Sequence, residues 1–174
     1  VYGGIRKCEP DIEGAKKLLD EAGWKPGPDG IRVKDGKKLK VTYNTSTNTL
    51  RQKEQALVKD AWAAIGVDPE LKNVSATVFF STDAANNDTI GKFFNDVQMY
   101  TNNYSQPDPT DYLCDFTTSQ ISAKANGWRS PNNIRYSNPE YDKLCTALRG
   151  ESDDAKRKEI VLKMNDLLMT DYYV

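Results

Sequence analysis

The chain has 174 residues, 38% hydrophobic and 28% charged, with a formal net charge of −1. This length suits one domain, and the balanced charge argues against nucleic acid or an anionic membrane as the main partner. The absence of histidine excludes Ser-His and Cys-His catalytic sites, histidine metal ligands and a histidine pH switch. No apolar run approaches the roughly 20 residues that a membrane-spanning helix needs.

The first third of the chain predicts a helix, a hairpin and a strand. Asp11 is placed to cap a helix over residues 12–22, and Gly23 follows where a left-handed C-terminal residue belongs. Asp35-Gly36 is typical of a tight hairpin turn. Alternating residues 39–43 predict the first core strand, and residues 44–49 predict a polar loop after it.

A long amphipathic helix is predicted over residues 50–65. Its expected apolar face consists of Leu50, Leu57, Ala61, Ala64 and Ile65. A strand over residues 67–74 follows. Because Pro69 lacks a backbone N–H, it is expected either at the start of this strand or in a strand at the edge of the sheet. Residues 76–80 favour a short helix and residues 81–89 a loop.

Residues 96–111 form the stretch around which the chain is organised. A strand near residues 96–100 leads into a polar and aromatic run, and a proline-rich turn then opens a helix over residues 108–117 with Asp108 as its N-cap. Further on, Asn138-Pro139 starts a helix that ends at Gly150, and Ser152 caps a last helix. The apolar faces of these two helices comprise Tyr141, Leu144, Ala147, Leu148, Ile160, Met164, Leu167 and Leu168.

This succession of helices and strands predicts an α/β fold, a mixed sheet flanked by helices with at least part of its pairing parallel. The three cysteines, Cys8, Cys114 and Cys145, have no metal-site spacing. One disulfide with a free thiol fits an extracytoplasmic protein, whereas three thiols fit a cytosolic one, and the spacing chooses no pairing.

The sequence offers few candidate catalytic or ligand-binding residues. The sequence has no nucleotide-binding glycine loop, so nucleotide binding has no support, and no cofactor is expected. None of its serines lies in a nucleophile elbow. The run over residues 100–105 combines aromatic faces with amide and hydroxyl groups, which suits a cleft for a polar organic ligand, or equally a solvated loop. Asp108 and Asp111 are interpreted first as a helix cap and a first-turn acid, and second as a catalytic pair.

Five segments in order resemble the C-terminal lobe of the family 5 extracellular solute-binding proteins, the peptide and oligopeptide receptors of ABC importers. Residues 97–110 resemble the segment that lines the ligand cleft in that family. The other four are residues 11–24 (DIEGAKKLLDEAGW), 29–45 (DGIRVKDGKKLKVTYNT), 51–67 (RQKEQALVKDAWAAIGV) and 133–144 (NIRYSNPEYDKL).

The resemblance implies that residues 1–174 are one domain, a lobe of a two-lobed periplasmic-binding-protein-like fold. The N-terminal lobe and the signal segment then lie outside this chain, the location is extracytoplasmic, and the partners are a small peptide or oligosaccharide and the ABC transporter permease subunits. The candidate ligand contacts are Tyr100, Asn102, Tyr104, Ser105, Asn44 and Trp128.

The chain departs from the family pattern at two of these positions. Peptide receptors carry an acidic residue before the proline turn, where Ser105 stands, and a tryptophan where Asn102 stands. A neutral hydroxyl does not replace a charge-assisted bond to a peptide amino group. A carbohydrate receptor of the same family and a protein–protein interaction domain therefore stay open as alternatives, and a small hydrolase using Asp108 or Asp111 is the least favoured.

Overall fold

A computed structural model describes residues 9–103 and 106–171. These residues fall into two compact units, which are described separately. The sheet unit comprises residues 9–81 and 86–101. The helical unit comprises residues 82–85, 102–103 and 106–171. Among the described residues, no helix is both long enough and apolar enough to span a membrane.

The sheet unit opens with helix α1 (Ile12–Glu21), as predicted. The Asp11 carboxylate accepts a hydrogen bond from the Gly14 N–H at 2.7 Å, which satisfies a free donor of the first turn. Gly23 follows with a φ of 88°. This left-handed conformation costs glycine little, so the sequence signal for the helix end is confirmed.

An antiparallel sheet follows α1. It consists of β1 (Lys25–Pro26), β2 (Arg32–Lys34) and β3 (Lys37–Lys38). Asp35 and Gly36, between β2 and β3, both have positive φ angles, 51° and 73°. Two successive left-handed residues match the right-handed twist of a hairpin, which explains the Asp-Gly signal.

Arg32 is the polar centre of this part of the molecule, with only 4% of its surface exposed. Its guanidinium donates to Asp20 Oδ1 at 2.8 Å and to the carbonyls of Trp24 and Ile65, both at 2.7 Å. One side chain therefore joins α1, the antiparallel sheet and the end of the following long helix. No local sequence pattern predicted these hydrogen bonds of Arg32.

The Asp20 carboxylate makes the sheet unit sensitive to acid. The hydrogen bond from Arg32 lowers the pKa of Asp20, and the charges of Arg32 and Lys25 add to this effect. A group with a lowered folded-state pKa stabilises the fold above its unfolded pKa of about 3.9, and that contribution disappears as pH falls through the folded value. We expect the stability difference between the parent and Asp20→Asn to be full at pH 7 and to shrink below about pH 4, as measured by urea unfolding across pH. A difference that stays constant down to about pH 2 would contradict this role.

The second sheet is parallel. It consists of β4 (Lys40–Ser46), β5 (Asp68–Val74) and β6 (Val97–Met99) in the order β5-β4-β6. Pro69 lies in the edge strand β5, as predicted. The predicted loop at residues 44–49 is wrong in its first half, because β4 continues through Ser46. Asn44, Thr45 and Ser46 are all buried there although none of them is apolar. Strands of parallel sheets are commonly covered on both faces, so polar residues near the end of such a strand can be enclosed with apolar ones.

Helix α2 (Thr49–Ala63) connects β4 to β5, and its packing face differs from the prediction. Leu50 and Leu57 are 65% and 70% exposed. Ala61 and Ala64 are exposed as well. The inward face instead carries Gln55, whose amide donates to the Tyr43 carbonyl at 2.6 Å. Trp62 contacts the Tyr43 ring at 5.5 Å between centroids. Helix α3 (Ala76–Phe79) follows β5 as predicted.

The helical unit contains α4 (Thr110–Cys114), α5 (Pro139–Gly150) and α6 (Asp154–Thr170). Asn138 caps α5 as predicted, accepting from the Glu140 N–H at 2.9 Å. The core of the unit includes the predicted Tyr141, Leu148, Met164 and Leu168, whereas Ala147 is exposed.

Two predicted helix starts need correction. Asp153, not Ser152, caps α6, because its carboxylate accepts from the Lys156 N–H at 2.9 Å. Helix α4 is shorter than residues 108–117, and its N-cap position is Pro109. Asp108 precedes the helix and accepts from the Thr110 N–H at 2.8 Å, so it still satisfies a backbone donor at this end.

A disulfide joins Cys114 of α4 to Cys145 of α5 across 31 positions of sequence. This pairing was open from the sequence, and Cys8 lies outside the described residues. Both bonded cysteines belong to the buried core of the unit, so the covalent link ties together helices that also pack against each other.

Asn132 is a fully buried polar residue of the helical unit. Its amide nitrogen lies within hydrogen-bonding distance of the carbonyls of Phe116, Thr117 and Tyr136, and its oxygen accepts from the Tyr136 N–H at 3.0 Å. One side chain thus satisfies the backbone of two chain segments that form no regular sheet.

Candidate functional site

The parallel sheet ends in a set of polar groups at its carboxyl edge. Strand β4 ends at Ser46, and Asn48 then caps α2 by accepting from the Arg51 N–H at 3.1 Å. Strand β6 ends at Met99, whose carbonyl accepts from the Thr45 hydroxyl at 2.7 Å. Open α/β sheets bind ligands beyond the carboxyl ends of their strands, so this edge is the candidate site of the sheet unit.

Arg51 is the central group of this edge. Its guanidinium donates to Ser46 Oγ and to Thr101 Oγ1, both at 2.7 Å. The same group lies 6.0 Å from the ring centroid of Phe80, which is 45% exposed. We call Ser46, Arg51, Phe80 and Thr101 the carboxyl-edge cluster. Only part of the guanidinium's hydrogen-bonding capacity is used in these bonds, so the group is oriented and retains donors for a carboxylate or another polar acceptor.

A second candidate feature, a concave one, lies within the helical unit. It is a shallow depression of about 110 Å³, lined by Asn102, Asn103, Gln106, Asp108, Asp111, Tyr112 and Asp115. Burial raises the pKa of Asp115, and the nearby Asp111 raises it further. Hydrogen bonds from Thr110 lower the pKa of Asp108, as does Arg157, which donates to the Asp108 carboxylate at 2.6 Å. The ion pair and the helix-start bond account for Asp108 as a structural residue.

The predicted site residues are divided between the two units. Asn44 lies in β4 of the sheet unit with 1% of its surface exposed, and Tyr100 follows β6 half-buried. Asn102 is exposed and lines the depression of the helical unit. Trp128 is half-buried in the same unit, with Arg135 at 5.7 Å from its ring centroid. Tyr104 and Ser105 lie outside the described residues.

Sequence reasoning missed all four members of the carboxyl-edge cluster as site residues. A usable signal was present, because Asn48 caps a helix directly after the strand that carries Ser46. An arginine in the first turn of such a helix lies near the carboxyl edge of the sheet.

Comparison with known proteins identifies the family. Residues 3–124 match the model described as bacterial extracellular solute-binding proteins, family 5 Middle. The chain belongs to this family. Its members are solute-binding proteins, and the α/β architecture found here is theirs.

Among curated relatives, the chain is 30% identical over 152 residues to the oligopeptide-binding protein AppA of Bacillus subtilis, which covers 86% of this chain and 25% of AppA. The structure also matches the oligopeptide-binding protein of Thermus thermophilus, complexed with a pentapeptide, with a TM-score of 0.84 and 21% identity over 99% of this chain and 30% of that one.

A third similar protein was solved with a different solute. The periplasmic oligopeptide-binding protein of Thermotoga maritima, bound to mannohexaose, gives a TM-score of 0.72 and 26% identity over 95% of this chain and 30% of that one. The chain spans only about a quarter to a third of the length of these proteins.

Proposed function

We propose that the chain is part of the substrate-binding component of an ABC-type importer, which binds a peptide between two lobes for uptake. Residues 1–174 are in this proposal the C-terminal lobe, working with an N-terminal lobe and with permease subunits outside the cytoplasm. The lobe performs no chemistry and contributes one wall of the binding cleft. The 30% identity to an oligopeptide-binding protein over 86% of the chain supports this assignment.

The single observation that carries the peptide assignment is the orientation of Arg51. A guanidinium held by Ser46 and Thr101 at the carboxyl edge of the sheet suits the planar carboxylate of a peptide C-terminus. The exposed ring of Phe80 beside it adds an apolar surface for a neighbouring ligand side chain.

The proposal includes further ligand contacts from both units. Tyr100, Tyr104 and Trp128 supply aromatic surface, and Asn102 and Ser105 supply hydrogen-bonding groups. The side chain of Asn44 is buried, so this residue is not a direct ligand contact in the proposal. Because Ser105 is neutral, we propose that recognition of the peptide amino group is weaker here than that of the carboxylate.

The test uses the full-length receptor that contains this chain, and measures peptide affinity by calorimetry for free-acid and C-terminally amidated forms of the same peptides. A charge-assisted bond contributes about 1.5–3 kcal/mol. Arg51→Met is therefore expected to lower the affinity for free-acid peptides by about 10–100-fold. The amidated forms should bind the parent weakly, and the substitution should change their affinity little.

The matched control is Lys53→Met, which removes a cation from an exposed position two residues along the same helix. This substitution should leave the affinity for both peptide forms unchanged. An equal loss for free-acid and amidated peptides in Arg51→Met would contradict the carboxylate assignment.

A carbohydrate ligand is the second candidate, supported by the mannohexaose complex of the similar Thermotoga maritima protein. In the same calorimetric assay, binding of oligosaccharides without binding of peptides would select this candidate. Binding of neither would favour the protein–protein interaction alternative.

A further inference from the structure

Asn44, in the middle strand of the parallel sheet, is buried without a partner for its side-chain oxygen. Its surface is 1% exposed, and Oδ1 has no hydrogen bond to any described residue. The side-chain oxygen of Gln98 in β6 is in the same situation. Each unpaired buried acceptor carries a desolvation cost, so two of them in one place need a physical explanation.

The two amides lie side by side. Asn44 is the register partner of Gln98 in the parallel ladder between β4 and β6. Register partners on neighbouring strands point to the same face of a sheet, and the strands are about 4.8 Å apart. Tyr43, one residue away in β4, points to the opposite face, where it contacts Trp62 of α2. The Asn44 face is therefore the one not covered by α2.

The segment at residues 88–90 covers this other face. The Gln98 amide nitrogen donates to the Ile90 carbonyl at 3.2 Å, which fixes the orientation of that amide. On the other side of Asn44, its register partner Lys72 in β5 pairs with Asp88. The two free oxygens consequently lie in a polar layer between the sheet and this segment.

We propose that a buried water molecule occupies this layer and donates one hydrogen bond to Asn44 Oδ1 and one to Gln98 Oε1. A water that bridges two acceptors lies about 2.8 Å from each, so the acceptors are roughly 4.5–5 Å apart. Side chains that leave strands about 4.8 Å apart on the same face can bring two oxygens to such a separation. A hard cation is excluded on chemical grounds, because two neutral oxygens fall short of the six or more ligands that it requires. This inference does not depend on the proposed function.

The direct test is a crystal structure of the chain at a resolution that shows ordered water. We expect density about 2.7–3.0 Å from both side-chain oxygens. Direct contact between the Asn44 and Gln98 amides, with no density between them, would overturn the proposal.

A thermal unfolding cycle gives an independent answer. Asn44→Leu and Gln98→Met each leave one acceptor without its bridge, so each midpoint should fall by about 3–8 °C. The double variant replaces both acceptors by apolar groups and should fall clearly less than the sum. Gln52→Met, an exposed amide on α2, is the control and should not change the midpoint. Additive losses would contradict a shared water, and if Asn44→Leu does not fold, the density in the parent decides.

Discussion

Replacement of Arg32 by methionine is expected to lower the free energy of unfolding by about 3 kcal/mol or more. The guanidinium is almost fully buried and satisfies the carbonyls of Trp24 and Ile65. Each buried carbonyl left without a donor costs about 1–3 kcal/mol, and methionine fills the space without supplying one. The exposed part of the Asp20 carboxylate returns to water, so the loss of the ion pair itself adds little.

Urea unfolding followed by circular dichroism measures this effect. Lys34→Met is the matched control, since it removes a cation from the same strand at an exposed position. It should cost less than about 1 kcal/mol. A similar small loss for Arg32→Met would mean that water reaches the two carbonyls and that the network contributes little to stability.

Removal of the Cys114–Cys145 disulfide is the second large effect. The link closes a loop of 31 positions, for which the chain-entropy relation gives about 3–4 kcal/mol of stabilisation through the unfolded state. The double variant Cys114→Ala with Cys145→Ala is therefore expected to unfold at a much lower urea concentration than the parent.

A reducing agent provides the comparison. Reduction should lower the stability of the parent toward that of the double variant, and it should leave the double variant unchanged. A parent that is insensitive to complete reduction, verified by mass spectrometry of alkylated thiols, would contradict a stabilising role for the link.

Much of the fold was predictable because its signals are local. Asn138-Pro139 at the start of α5 and Asp35-Gly36 in the hairpin each combine residue types with a strong backbone preference. The order of helices and strands then indicated an α/β fold, and the parallel and antiparallel pairings occupy separate sheets.

Tertiary polar contacts were not predictable in the same way. Gln55 is the buried residue of α2 because the Tyr43 carbonyl accepts its amide, whereas Leu50 and Leu57 face outward. Arg32 and Asn132 likewise satisfy backbone groups far away in sequence. A hydrophobic periodicity assigns apolar residues to the core and cannot identify a polar residue whose partner comes from another element.

In the candidate site, too, the local signals were predictable and the tertiary contacts were not. The carboxyl end of β6 was expected to bear ligand-binding residues, and the polar run after it was the place predicted to hold them. Arg51 was missed because its partners, Ser46 and Thr101, come from the ends of two different strands. Only the sheet topology brings those ends together.

The placement of β6 beside β4 also sets the order in which the sheet assembles. Strands β4 and β5 are joined through α2 alone, whereas Thr45 and Met99, which are paired in the ladder of β4 with β6, lie 54 positions apart. Closing that longer loop costs more chain entropy, and β6 contributes only three residues in return. We therefore expect the β4-α2-β5 unit to form before β6 docks, and the backbone amides of β6 to exchange with solvent before those of the central strand in a hydrogen-exchange experiment.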